Sequence, residues 1–242
     1  MNRALFQNRL ELALRAALEG LQEMQPERAR LSWHEESLWA ELVACLLGSA
    51  VPFALAHTFA SHLRKGGFLD MDSYRSNPTR FELRLTSELE SPLPVPSGIS
   101  IVYRRYRFPR LRARHICHTA RRIQESGRGL HQLLESCVSE NEMRRRLVEM
   151  CVGIGPKQAS LFLRNAGWAT ELAILDVHVL RFMGIALCSD PVISPGSCLK
   201  AYEKIENRLR KYAAGFGAEL AHLDVAIWVV MRVLRQEAVA WL

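Results

Sequence analysis

A very short turn, Gly153-Ile154-Gly155, joins two helical patterns and constrains the fold more than any other stretch of this chain. Glycine at both ends of the turn permits backbone angles that a side chain forbids, and it leaves the N–H groups of the turn bare. Pro156 suits the first position of a new helix. The helix before the turn, residues 142–151, shows one apolar stripe with arginines between its members: Met143, Leu147, Met150 and Cys151. We therefore predict two helices around a tight turn that can bind phosphate at a helix N-terminus.

Two chemically important side chains follow this turn. Lys157 comes directly after Pro156, and Asp176 emerges from the apolar residues 173–175 to start another helix over residues 177–187. The helix between them is predicted to end at Gly167, a suitable C-terminal cap. A lysine beside a phosphate-binding turn can be a simple phosphate contact, and a carboxylate before a helix can be an N-cap and nothing more. From the residues alone, both interpretations stay open.

In combination these residues resemble one family. The G-I-G-P-K hairpin with Lys157, and the D-V-H element with Asp176 and His178, are similar to the helix–hairpin–helix DNA glycosylase superfamily. The strings K-Q-A-S-L-F-L-R-N-A-G and A-I-L-D-V-H-V-L most resemble its second type of 8-oxoguanine DNA glycosylase/AP lyase, found in archaea and some bacteria. The resemblance implies an all-α fold with two helical lobes around a DNA-binding cleft, in one glycosylase domain over residues 1–242.

Within that domain, residues 103–188 are expected to form the central lobe with the hairpin, and residues 1–100 and 189–242 to pack as the second lobe. Hydrophobic periodicity predicts helices over residues 3–24, 33–47 (capped by Ser32), 51–63, 129–138 and 199–213. Residues 80–85 alternate apolar and polar side chains, which predicts one short β segment in an insertion. Residues 91–98 carry three prolines and predict an extended loop. Whether residues 66–100 contact DNA or only connect helices stays open.

Charge and cysteine usage limit the class of protein. A net charge of +7 favours a polyanionic partner. Six cysteines without C-x-x-C spacing are expected to be reduced core residues of a cytoplasmic protein, and the closely spaced quartet of iron–sulfur glycosylases is missing from the sequence. We expect no required cofactor, no signal peptide, no membrane span and a monomer.

The segment from Tyr103 to Arg122 is rich in arginine with aromatic residues between, which suits a surface that follows phosphates and stacks on bases. A solvated helix face is the alternative. The Y-R-F string is again similar to the second type of 8-oxoguanine glycosylase, which implies a base-stacking role for Phe108 and DNA contact by Arg107. The C-terminal A-H-L-D-V-A-I-W-V-V string resembles the last family helix and implies pocket roles for Asp224 and Trp228, although Trp228 can equally be a core residue.

The resemblance also implies the chemistry. A flipped nucleotide would meet Lys157, whose neutral amine attacks C1′ to form a Schiff base, while Asp176 stabilises the cationic sugar and moves protons. Arg164 and the helix N-terminus would favour the neutral amine. DNA phosphate would meet His178, Arg164, Arg107 and the turn Gly153, Ile154 and Gly155. One structural cation would be held by the backbone carbonyls of Glu149, Cys151 and Ile154.

One part of the chain departs from the family. Members of the second type end with a lysine soon after the Asp-x-x-x-Trp element, and its carboxylate reads the oxidised base. Here the sequence continues through Arg235, Gln236 and Glu237 to Trp241-Leu242. 8-Oxoguanine therefore remains the first expectation, and another modified base, such as one in foreign DNA, is the alternative. A non-catalytic helix–hairpin–helix DNA-binding protein and an unrelated helical interaction protein are the other classes considered.

Overall fold

The computed structural model describes residues 3–23, 34–186 and 195–240. The predicted cap Ser32 and the terminal Trp241-Leu242 lie outside these residues, as do the side chains of Arg235, Gln236 and Glu237. The all-α prediction is confirmed, because the described ranges contain twelve helices and one two-stranded sheet. The elements are α1 (Arg3–Glu23), α2 (Glu35–Leu47), α3 (Phe53–Lys65), α4 (Met71–Ser76), α5 (Pro78–Glu90), β1 (Leu93–Ser97), β2 (Ser100–Arg104), α6 (Pro109–Glu125), α7 (Leu130–Glu135), α8 (Glu140–Met150), α9 (Pro156–Asn165), α10 (Val177–Ala186), α11 (Leu199–Ala214) and α12 (Leu220–Ala240). Within the same ranges, no helix is both long enough and apolar enough to cross a membrane.

The chain divides into two compact units at boundaries that differ from the predicted lobes. One unit comprises residues 30–166, and the other comprises residues 1–29 and 167–242. Residues 30–100 thus belong with the hairpin, whereas residues 167–188 belong with the two ends of the chain. The reason is that α2 packs against α9 and α7, while α1 and α10 both pack against α12. The predicted cleft between two lobes stays a prediction.

The unit of residues 30–166 positions the glycine turn through a helical core. Leu42 and Phe59 are fully buried in α2 and α3, as are Leu147 in α8 and Phe162 in α9. Arg144, one of the arginines between the apolar positions of α8, is buried, and its guanidinium donates to Ser160 Oγ at 3.3 Å and Asn141 Oδ1 at 2.8 Å. The bond to Ser160 joins α8 to α9 across the turn, whereas the bond to Asn141 lies within α8.

The other unit has its own apolar core. Leu14 of α1, Phe182 of α10 and Ile227 of α12 are completely buried in one cluster. The cluster also contains Ala173 and Leu175, which lead directly to Asp176. This packing fixes the start of α10 from the apolar side.

The predicted short strand is wrong, because residues 80–85 lie within α5. Phe81, Leu85 and Leu89 are buried at a spacing of four, which is the period of a helix, and Leu83 is two-thirds exposed. Asn77 caps this helix by accepting the N–H of Arg80 at 2.9 Å, and Pro78 takes the first helical position.

The β structure lies just beyond, and its first strand occupies residues that were predicted to be an extended loop. β1 and β2 form an antiparallel hairpin in which Pro94 pairs with Tyr103 and Pro96 with Ile101. Proline lacks a backbone N–H, but a two-stranded sheet tolerates it at alternate positions whose N–H would point away from the partner. Gly98, with φ of +61°, makes the turn.

Candidate functional site

The turn predicted from the two glycines is present between α8 and α9. The N–H of Ile154 donates to the carbonyl of Cys151 at 3.3 Å, and Gly155 is the N-cap of α9 with Pro156 at its first turn. Gly153 adopts a φ of +83°, which is the left-handed region that favours glycine. A Cβ on Gly155 would meet nothing within 4 Å, so the helix N-terminus behind it is open.

Helix α6 supports this turn through residues that the sequence did not single out. A Cβ added to Gly153 would lie 2.1 Å from Nδ1 of His115. The buried hydroxyl of Thr119 accepts the N–H of Val152 at 3.0 Å. Burial, followed by the positive charges of Arg112, His118 and Arg114, lowers the pKa of His115. No local signal identifies such residues, because each contact joins positions more than thirty residues apart.

Lys157 is the second residue of α9 and is half-buried. It therefore stands where the first N–H groups of the helix lack intrahelical partners and the helix dipole is positive. Arg164 lies in the last turn of the same helix. Seven residues correspond to about 10 Å along a helix axis, so Arg164 is too distant to be a close cationic neighbour of Lys157. The helix N-terminus remains as the nearby positive group.

Asp176 caps α10 with only one of its two carboxylate oxygens. Oδ1 accepts the N–H groups of His178 at 2.8 Å and Val179 at 2.9 Å. Oδ2 receives no hydrogen bond from the described residues of its own unit, and the side chain is half-buried. The capping interpretation and the catalytic one are thus compatible, since the capping contacts leave one oxygen for a substrate.

The extended residues before Asp176 are held by three side chains of α11 and α12. Glu206 Oε1 accepts the N–H of Ala173 at 2.9 Å, and Asp224 Oδ2 accepts that of Ile174 at 2.6 Å. The hydroxyl of Tyr202 donates to the carbonyl of Ala173 at 2.7 Å and accepts the N–H of Leu175 at 3.0 Å. Asp224 is buried and engaged with the backbone here, so its position supports Asp176; its predicted pocket role stays a prediction.

Trp228 lies on the partly exposed side of α12. It is 39% exposed, which is more than a core tryptophan shows. Its ring meets that of His178 edge-on, with centroids 6.5 Å apart, and the guanidinium of Arg232 lies 4.8 Å from the ring centroid. Nδ1 of His178 is buried without a hydrogen-bond partner in the described structure. The structure thus brings Asp176, His178, Asp224 and Trp228 to one region of this unit.

The aromatic residues of the arginine-rich segment separate into two roles. Phe108 is the half-buried N-cap of α6, with the guanidinium of Arg107 4.9 Å from its ring centroid. Arg107 is exposed and reaches the carbonyl of Ala50. Tyr106 is not available for stacking, because its ring is buried and its hydroxyl donates to the carbonyl of Leu47. The Y-R-F string precedes the helix and does not lie within it.

Metal ligation finds little support among side chains. Nowhere in the described ranges do three or more His, Cys, Asp or Glu side chains gather as a metal site. Cys45, Cys117 and Cys151 are buried, Cys137 is half-buried and Cys198 is exposed, while Cys188 lies outside the described residues. Burial raises the pKa of the Cys117 and Cys151 thiols to about 12. Of the three backbone carbonyls expected to hold a cation, that of Glu149 already accepts from Arg122 at 3.0 Å.

Two helices joined by a glycine turn, with a lysine at the start of the second, define a helix–hairpin–helix protein. Residues 98–218, half of the chain, match the family described as 8-oxoguanine DNA glycosylase. The chain therefore belongs to this family. The matched residues include Phe108, Lys157, Asp176 and His178, whereas the helix with Asp224 and Trp228 lies beyond them.

Individual relatives agree with this assignment. The chain is 36% identical to an 8-oxoguanine DNA glycosylase/AP lyase of Metallosphaera sedula over 126 residues, which are 51% of this chain and 57% of that protein. It is 37% identical to the enzyme of the same name in Methanocaldococcus jannaschii over 123 residues, or 51% and 56% of the two chains. These alignments thus span about half the length of the curated relatives.

Solved structures extend the likeness of the fold to nearly the whole chain. The 8-oxoguanine DNA glycosylase of Thermotoga maritima superimposes with a TM-score of 0.66 at 27% identity, covering 94% of this chain and 96% of that one. The crystal structure of the Methanocaldococcus jannaschii glycosylase gives the same TM-score at 24% identity, covering 93% and 92%. The helix–hairpin–helix glycosylase fold is therefore confirmed.

Proposed function

We propose that this protein is a DNA glycosylase with AP lyase activity, which excises a modified base from double-stranded DNA. The observation that carries the proposal is the half-buried Lys157, placed in the first turn of α9 directly after an open glycine turn. An amine in that position can reach a sugar whose phosphates are bound by the turn's N–H groups.

In the proposed reaction the target nucleotide first leaves the base stack. The Lys157 amine then attacks C1′ as the N-glycosidic bond breaks, and the bonding electrons leave with the base. Oδ2 of Asp176 stabilises the positive charge that develops on the sugar. Loss of the amine proton and ring opening give a Schiff base, and removal of a C2′ proton expels the 3′ phosphate. Water finally releases the lysine.

8-Oxoguanine is the substrate that we propose first, since the family and the relatives carry that base in their names. A crystal structure of the Methanocaldococcus jannaschii glycosylase/lyase in complex with a 15mer DNA containing 8-oxoguanine also resembles this chain, with a TM-score of 0.64. Another modified base is the alternative, because the sequence after the Asp-x-x-x-Trp element departs from that of the second-type 8-oxoguanine glycosylases.

Borohydride trapping on duplexes that each contain one modified base tests the proposal. We expect a covalent adduct on the 8-oxoguanine duplex with wild type and none with Lys157→Gln. Lys65→Gln is the matched control, since Lys65 is an exposed lysine at the end of α3 in the same unit. An adduct only on a different base would retain the mechanism and replace the substrate. Salt-sensitive DNA binding without any adduct or base release would instead support the non-catalytic DNA-binding alternative.

A further inference from the structure

Arg122, near the end of α6, bonds the carbonyls on which the glycine turn begins. Its Nη1 donates to the carbonyl of Glu149 at 3.0 Å and to that of Met150 at 3.4 Å. These are the last two residues of α8, whose carbonyls have no N–H partner from a following helical turn. A cation at this end also complements the negative end of the helix dipole.

A bound metal cation does not fit well at the carbonyls expected to hold it, those of Glu149, Cys151 and Ile154. A cation held by backbone oxygens needs several of them to converge and replace its hydration shell. Here the carbonyl of Glu149 faces a guanidinium, and that of Cys151 accepts the N–H of Ile154 at 3.3 Å. A second positive charge beside the guanidinium would be repelled at contact distance.

Arg122 keeps N–H donors that the carbonyls of α8 do not use. The guanidinium carries five N–H donors, of which only those on Nη1 bond to the described residues of this unit. Because the side chain is exposed, its remaining donors can meet a phosphate, a group that a guanidinium binds well.

We propose that Arg122 takes the place of the hairpin cation, so that this helix–hairpin–helix motif binds duplex DNA without a metal ion. The inference rests on the proposed function only in that the turn binds DNA. The positive charge at this site would then belong to a side chain of the protein and not to a bound ion. The affinity for duplex DNA should therefore depend on the ionic strength and not on the identity of the monovalent cation in the salt.

The test measures fluorescence anisotropy of an undamaged duplex at equal ionic strength in potassium chloride and in choline chloride, whose cation is too large for a carbonyl site. Wild type should bind equally in both salts. Arg122→Gln should weaken binding several-fold in choline, lower the slope of log K against log salt by about 1, and recover part of its affinity in potassium. Arg121→Gln is the matched control, since Arg121 is an exposed neighbour that contacts Glu125 and His118.

Wild-type affinity that falls several-fold in choline would overturn this inference alone, and so would Arg122→Gln that behaves like Arg121→Gln. Absence of salt-sensitive duplex binding by wild type would overturn the proposed function together with it. Thermal unfolding establishes that each variant is folded. If Arg122→Gln does not fold, Arg122→Lys replaces it: the retained charge should keep binding independent of potassium, and a potassium requirement would overturn the inference.

Discussion

At the scale of single residues, Asp176 shows how one carboxylate can serve both a helix and a reaction. Oδ1 accepts two backbone N–H groups of α10 and so performs the work of an N-cap. Only the charge on the carboxylate distinguishes it from an asparagine in this structural role. The two roles can therefore be separated by substitution.

We predict that Asp176→Asn keeps the free energy of unfolding within about 0.5 kcal/mol of wild type, because asparagine is an equally good N-cap. Base excision should fall roughly 10²-fold or more, since a neutral amide does not stabilise a cationic sugar. Asp176→Ala should lose the same activity and about 1 kcal/mol of stability as well. Urea denaturation and single-turnover excision measure the two effects, and an active Asp176→Asn would contradict a catalytic role.

Gly153 gives a second residue-scale prediction. Gly153→Ala should destabilise the protein by about 1–3 kcal/mol, because φ is +83° and the new Cβ would overlap the His115 ring. Gly155→Ala is the control, since its φ is −99° and its Cβ would meet open space. We expect the control to change stability by less than about 0.5 kcal/mol. Adding His115→Ala to Gly153→Ala should restore only the steric part of the loss, and full recovery would show that backbone strain is unimportant.

The sequence was sufficient to predict the glycine turn and the element that starts at Asp176, because both depend on local backbone chemistry. It could not identify Tyr202 and Glu206, which hold residues 173–175 from about thirty positions away. Their side chains look like ordinary members of an amphipathic helix. Only the tertiary structure shows that they hold the backbone leading to Asp176.

At the scale of elements, α5 and the β hairpin show where periodicity is ambiguous. Phe81, Leu83 and Leu85 alternate with polar residues as in a strand. Phe81, Leu85 and Leu89 recur every four residues as in a helix, and these three are buried whereas Leu83 is exposed. The β hairpin was not predicted, because β1 contains prolines and prolines are typical of loops. Pairing with the adjacent residues 100–104, which the proline-containing segment by itself does not reveal, decides this case.

Helix α6 contains arginines of different kinds, although the sequence presents them as one basic run. Arg112 is buried, and its Nη2 donates to the carbonyl of Ser49 at 2.9 Å. Its Nη1 lies 3.3 Å from Nδ1 of His115, the residue that packs against the glycine turn. Arg114, two positions further on, is exposed. Arg112 thus stabilises the fold around the turn.

We predict that Arg112→Gln lowers the free energy of unfolding by about 1–3 kcal/mol, because the carbonyl of Ser49 loses its charged donor. Arg114→Gln removes the same charge from the same helix and should change stability by less than about 0.5 kcal/mol. Chemical denaturation of both variants measures the difference. Equal stabilities would mean that the buried contacts of Arg112 contribute little to the fold.

At the scale of the whole molecule, the two proposed catalytic residues belong to different compact units. Lys157 lies in the unit of residues 30–166, and Asp176 lies in the unit that contains residues 167–242. Each is positioned by contacts of its own unit: the glycine turn and α9 for Lys157, and the side chains of α11 and α12 for Asp176. Each side chain is therefore positioned within its own unit, and the proposed reaction uses both.

We predict that the double variant Lys157→Gln/Asp176→Asn shows additive effects on stability and non-additive effects on the excision rate. Changes in unfolding free energy should add to within about 0.5 kcal/mol, because each side chain is held by contacts of its own unit. Losses in the excision rate should not add, because residues that act on one transition state are strongly non-additive: the double variant should be no more than a few-fold slower than the slower single variant. Single-turnover excision on the 8-oxoguanine duplex, beside urea denaturation of all four proteins, measures both quantities. Rate losses that multiply would mean that Lys157 and Asp176 act in independent steps, and that the Schiff base forms without the help of the carboxylate.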